Sequence, residues 1–205
     1  MASTPYKRFD YIVHDVFTGG VEPAALFTVE FLTDLRTALK PNGVIAIVSS
    51  SSLFLHPPRR SFRITSQNYA GDMTLSSASL VICTIKAVFP NCRFYRESEP
   101  LTAAESAAKA RDFVNMVIFC TNTKDPIKFR EPIEADFLGS EARQAFLVPT
   151  YEISGDVLAD LQRQGKGELL KRGNTAALEV WQRKSAIEHW GIMRMVLPGD
   201  VWQLW

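Results

Sequence analysis

Two hydrophobic rhythms organise the first 125 residues. The short apolar run at 9–13 (FDYIV), followed by His14 and Asp15, predicts a buried strand that ends on an acid. A loop follows at 17–20, and Glu22-Pro23 predicts a helix start, since proline fits a first helical turn. Leu26, Val29, Leu32, Leu35 and Leu39 then recur at helical spacing, until 40–43 (KPNG) halts the helix. The run at 44–48 (VIAIV) predicts a second buried strand. Strand, helix and strand with short connections form a βαβ unit, which implies parallel strands and an α/β class.

The pattern breaks at 49–67, where serines, two prolines and three arginines show no period. A connection this long is unusual inside a compact α/β unit. Two expectations compete for this insert at 48–67. One is an in-frame retained intron, because Val48-Ser49 can be encoded by a donor-like sequence and Gln67 by an acceptor-like one. The other is a surface loop with Pro57-Pro58-Arg59-Arg60 as a basic docking motif. Regularity then resumes. A polar turn at 68–72 precedes a helix marked by Leu75, Ala78, Ile82, Ile85 and Phe89. A third strand is predicted at 92–95. A capping box from Thr102 to Glu105 and a fourth strand at 112–121 follow. Two strands at the end of such a series can pair antiparallel at the sheet edge. From about 126 onward the chain reads as a mainly helical extension, 126–205. Val157, Leu158 and Leu161 share one helix face there, and Asn174 is a predicted cap for another helix.

Composition narrows the function classes. Apolar residues are 46% and charged residues 22% of 205, and the net charge is +1, so nothing favours a nucleic-acid or anionic-membrane partner. No window approaches the ~20 apolar residues of a membrane helix. The chain therefore reads as cytoplasmic. Cys83, Cys92 and Cys120 form no C-x-x-C pair, and their spacing suggests free, buried thiols in a reducing compartment. The three histidines, His14, His56 and His189, are too scattered for a metal site.

The segment 9–48 resembles the middle of a spermidine/spermine synthase domain. Asp15, Glu22, Pro23, Leu26, Phe27, Leu39, Lys40 and Gly43 carry the likeness, and 84–95 and 114–122 are similar to that family's later helix and final strands. The resemblance implies a partial Rossmann-like methyltransferase fold. Residues 1–125 would be its C-terminal half. The implied activity is aminopropyl or methyl transfer with S-adenosylmethionine or its decarboxylated form. A small-molecule amine or methyl acceptor is the expected partner. It also implies a catalytic role for Asp15, because ligands of open α/β sheets bind beyond the carboxyl ends of the strands. His14, Glu22, Tyr69 and Asp72 are candidate substrate-binding residues near that edge. The family's second acid, three residues after the first, is Thr18 here, which weakens the polyamine reading.

No G-x-G-x-x-G occurs, so the glycine-rich cofactor loop is expected to lie outside this sequence. A truncated sheet would leave an apolar edge exposed, poor solubility for the chain alone, and a need for a second copy or a partner chain. The rival expectation is a non-catalytic interaction module. Its surface would be the C-terminal tail, which holds three of the four tryptophans.

Overall fold

The computed structural model describes residues 8–15, 24–49, 70–73, 76–102, 104–105, 112–176 and 178. Six strands alternate with helices: β1 (Phe9–Asp15), α1 (Val29–Ala38), β2 (Leu39–Ser49), β3 (Ala70–Asp72), α2 (Ser76–Val88), β4 (Asn91–Arg96), β5 (Phe113–Thr121), α3 (Glu134–Phe137), α4 (Glu141–Phe146), β6 (Tyr151–Glu152) and α5 (Gly155–Gln164). The sheet order is β1-β2-β5-β4-β6, with β3 on the free amino-terminal stretch of β5. β1 and β2 are parallel, and β5 runs antiparallel to both β2 and β4. This is the expected mixed α/β architecture, a parallel pair closed by an antiparallel one.

Three local outcomes differ from the sequence reading. A short 3₁₀ turn occupies Ala24–Phe27, and α1 starts only after Thr28. The Thr28 hydroxyl accepts from the Phe31 amide and acts as the N-cap. Residues 40–43 do not end the helix as a free turn. They bulge within β2, because Phe9 pairs with Leu39 and Tyr11 with Val44. Gly43 permits this, since a Cβ there would lie 2.9 Å from the Phe9 carbonyl oxygen. Residues 70–72, read as a polar turn, form β3 by pairing with residues 113–115 of β5.

One face of the sheet is covered by helices. Ile45, Ile47, Ile118 and Phe94 point from the strands into this layer, against Leu32, Ile82 and Ile85 from α1 and α2. Nearly every described side chain of α2 is buried, because α5 packs on its outer side. That contact is close. The Ser79 hydroxyl donates to the Leu161 carbonyl, and Gly165 sits over Ser79 and Cys83. Thr84 donates to the Leu80 carbonyl at 2.7 Å and accepts from the Leu170 amide at 2.9 Å. The segment after 126 therefore joins the same core, through β6, Leu158, Leu161, Leu170 and Leu178. The Asn174 side chain accepts from the Lys171 amide and donates to the Leu169 carbonyl.

The other face is more open. Alternation along β1 turns Phe9, Tyr11 and Val13 outward, and Tyr11 is 78% and Val13 68% exposed. Among the described residues β1 pairs only with β2, so it is a sheet edge with an apolar face. Farther along this face, Phe129 covers the sheet in edge-to-face contact with Tyr95 and Phe119.

The cysteines correct the sequence reading. Cys92 and Cys120 lie directly opposite in β4 and β5 and form a disulfide, with Cα atoms 4.1 Å apart. Their linear spacing carries no sign of this; the strand register creates it. Cys83 remains free and buried. Thiol labelling of the denatured, unreduced chain is expected to find one reactive thiol out of the three cysteines. The bridge closes a loop across a separation of 28 residues. Its reduction is expected to lower unfolding stability by about 3.5 kcal/mol through chain entropy. Labelling of all three thiols before reduction would contradict this pairing.

Candidate functional site

Parallel β1 and β2 and the matching direction of β4 place three strand ends on one side of the sheet. Asp15, Ser49 and Arg96 are their terminal residues. β3 joins the same end, since it pairs with the start of β5. Open α/β sheets bind ligands beyond this carboxyl edge. Asp15 is exposed there, at the last position of an otherwise apolar strand. Register carries the row across the sheet: Asp15 opposes Val48, Val48 opposes Val117, and Val117 opposes Tyr95. By alternation Asp15 belongs to the open face, with Tyr11 and Val13.

His14 points the other way. It is 6% exposed and packs edge-on to Phe27 at 5.3 Å and tilted to Phe31 at 5.6 Å. Neither ring nitrogen has a hydrogen-bond partner among the described residues. Burial pushes the imidazole below its usual range, against the smaller opposing pull of Asp15. The placement is that of a packing residue under the site, on the face opposite to Asp15. Since the folded-state pKa lies below the unfolded value of 6.5, the unfolded chain binds the proton first. Stability is then lost as pH falls below about 6.5. His14→Leu is expected to remove this component. It should make denaturant midpoints at pH 5 and pH 8 more alike than in the wild type. An unchanged difference between the two would contradict the assignment.

Asp72 lies in β3 opposite Phe113, at the carboxyl edge. Glu22 and Tyr69 fall outside the described residues, as do Thr18, the 50–67 part of the insert, and the tryptophan-rich tail.

The sequence reading missed a second feature of this edge. Arg96 ends β4 and holds Asp112 through two hydrogen bonds, at 2.8 and 3.1 Å. Their side chains are only 7% and 17% exposed. Asp112 also accepts the Met73 amide on its carbonyl at 2.9 Å. The ion pair thus fixes the junction of β3, β4 and β5 at the carboxyl edge of the sheet. An arginine sixteen residues from an aspartate has no sequence signature; only the strand ends bring the two together.

Among the described residues no cluster of His, Cys, Asp or Glu could hold a metal ion, and no helix is long and apolar enough to cross a membrane. They also include no glycine-rich strand-to-helix turn of the kind that cradles a nucleotide.

The fold and edge define an α/β domain with an exposed acid at the carboxyl end of its parallel strands. No family model matches the chain. It is 45% identical, over 97% of its length, to an N-terminal histidine N-methyltransferase of Emericella nidulans. The chain spans 32% of that relative. A probable spermidine synthase from Corynebacterium glutamicum resembles it in structure, with 15% identity and a TM-score of 0.47. That likeness covers 82% of this chain and 49% of the other.

Proposed function

We propose that this chain forms the acceptor side of a methyltransferase domain that uses S-adenosylmethionine and methylates the N-terminal histidine of a polypeptide. The observation that carries this reading is the position of Asp15, an exposed acid ending a parallel strand at the carboxyl edge, in a chain similar along almost its whole length to an enzyme of that activity. Aminopropyl transfer has less support, since Thr18 stands where the synthases have a second acid.

S-adenosylmethionine supplies the methyl group when bound. The described residues do not fit that cofactor by themselves, because they contain neither a glycine-rich loop nor an acid ending a second cofactor-side strand. Among the described residues β1 pairs only with β2, and this edge supports a neighbouring set of strands that supplies both. What this chain contributes is a base. The Asp15 carboxylate is placed to orient the acceptor nitrogen and to take the proton that the nitrogen loses as its new bond to carbon forms. The Arg96–Asp112 pair keeps β3 and the start of β5 in place at the same carboxyl edge, three strands from Asp15.

The Cys92–Cys120 bridge supports an oxidising compartment for the domain over a reducing cytoplasm.

Calorimetric titration with S-adenosylmethionine tests the division of labour. The full-length gene product is expected to bind with a micromolar dissociation constant, about −8 kcal/mol, and this chain alone is expected not to bind. Equal binding by both would overturn the assignment of the cofactor contacts to other strands.

A further inference from the structure

The open face holds a cavity that the proposed reaction does not explain. It has a volume of about 290 Å³ and is lined by residues of the 129–149 segment. Its apolar wall includes Phe129, Pro132, Leu147 and Val148. Phe129 seats it on the sheet through Tyr95 and Phe119. β6 pairs antiparallel with the end of β4, Tyr151 opposing Arg96, so the chain just before Tyr151 extends beyond the carboxyl edge. The Phe129 wall of the cavity therefore lies on the same face of the sheet as Asp15, and its Pro149 end approaches the same edge.

Its charges are unequal. Arg130 grips Asp136 with two hydrogen bonds of 2.6 Å. This pairing holds the Asp136 carboxyl at about 2, so that charge is compensated. Arg143 also lines the cavity, and among the described residues its guanidinium donates only to the Asp136 carbonyl, at 3.3 Å. Arg143 forms no ion pair among the described residues. One uncompensated guanidinium beside an apolar wall suits a carboxylate next to a hydrophobic side chain.

We infer that this cavity is a second subsite for the polypeptide substrate, taking an acidic residue with an apolar neighbour a short way behind the reacting N-terminus. The inference rests on the methyl-transfer reading above. Asp15 and Tyr95 stand in one row, three strand intervals apart. That separation is about 14 Å at the usual strand spacing. An extended chain covers it in about four residues, so the substrate reaches the Phe129 rim of the cavity near its fifth position.

The test uses the full-length gene product and amidated peptides that begin with histidine and carry Glu, Leu or Lys at the fifth position. Both binding and methyl transfer are measured. Glu is expected to bind about tenfold more tightly than Lys, with the difference in KM and little change in kcat. Arg143→Glu is expected to abolish or invert this preference, while Arg143→Lys keeps it. Arg143 is exposed, so both variants are expected to fold, and circular dichroism checks that. The absence of a charge preference at the fifth position or its neighbours, or a preference that persists in Arg143→Glu, would overturn the subsite. An Arg143-dependent preference without methylation of any histidine peptide would leave the subsite standing and overturn the reaction assigned to Asp15.

Discussion

Replacing Asp15 by Asn is expected to lower kcat for methyl transfer by roughly 10²- to 10⁴-fold, the range typical of losing a positioned base. Asparagine keeps the size of the side chain and can still accept a hydrogen bond. It cannot take a proton from the acceptor nitrogen. Asp15 is exposed at the end of an edge strand and is not part of the buried core. Its replacement is therefore expected to leave the unfolding midpoint nearly unchanged, as for most surface positions. Peptide affinity should fall far less than turnover. Steady-state kinetics with the full-length gene product separate the two effects. A wild-type kcat in Asp15→Asn would remove the acid from the mechanism and leave the carboxyl edge as a binding surface alone.

The largest stability effect is expected from Asp112→Ala. The change strands the Arg96 guanidinium, whose side chain is 7% exposed and whose Nε has no partner among the described residues. Breaking a buried pair from one side costs about 3–5 kcal/mol, because an uncompensated charge stays inside. For a chain of 205 residues that corresponds to a fall in Tm of roughly 10 °C. Substituting both partners by apolar residues of similar size, Arg96→Met with Asp112→Leu, is expected to recover most of this stability. Urea unfolding of the three proteins checks the pattern. A loss below about 1 kcal/mol in Asp112→Ala would show that the pair is solvated like an ordinary surface bridge. The double variant separates stability from positioning. If it folds well yet transfers methyl groups slowly, the ion pair orients the junction of β3 and β5 as well as stabilising it.

Much of the sheet was legible because its strands are apolar runs bounded by turn residues. β1, β2, β4 and β5 all announce themselves in this way, and α2 does so through its apolar spacing. Asp15 was legible for a related reason, since an acid that closes an apolar strand stands out. β3 was not legible. Ala70-Gly71-Asp72 has neither alternation nor β-branched residues, and it becomes a strand only because β5 extends past its neighbours and offers a free edge. The start of α1 was misplaced because Pro23 is a good helix opener, whereas Thr28 supplies the actual cap. The disulfide, the Arg96–Asp112 pair and the cavity around Arg143 share one cause of invisibility. Each depends on which residues the register and the crossing segment bring together, and none of that is encoded in spacing along the chain. Asp15 and His14 are neighbours in sequence, and the pleat sends them to opposite faces. One is left at the candidate site and the other beneath it.

The most direct measurement is mass spectrometry of a histidine-initiated peptide after incubation with the full-length gene product and S-adenosylmethionine carrying an isotope-labelled methyl group. The expected result is one or more labelled methyl groups confined to the N-terminal histidine, and none with Asp15→Asn. Label elsewhere in the peptide, or equal labelling by the variant, would contradict the role given to the carboxyl edge of β1.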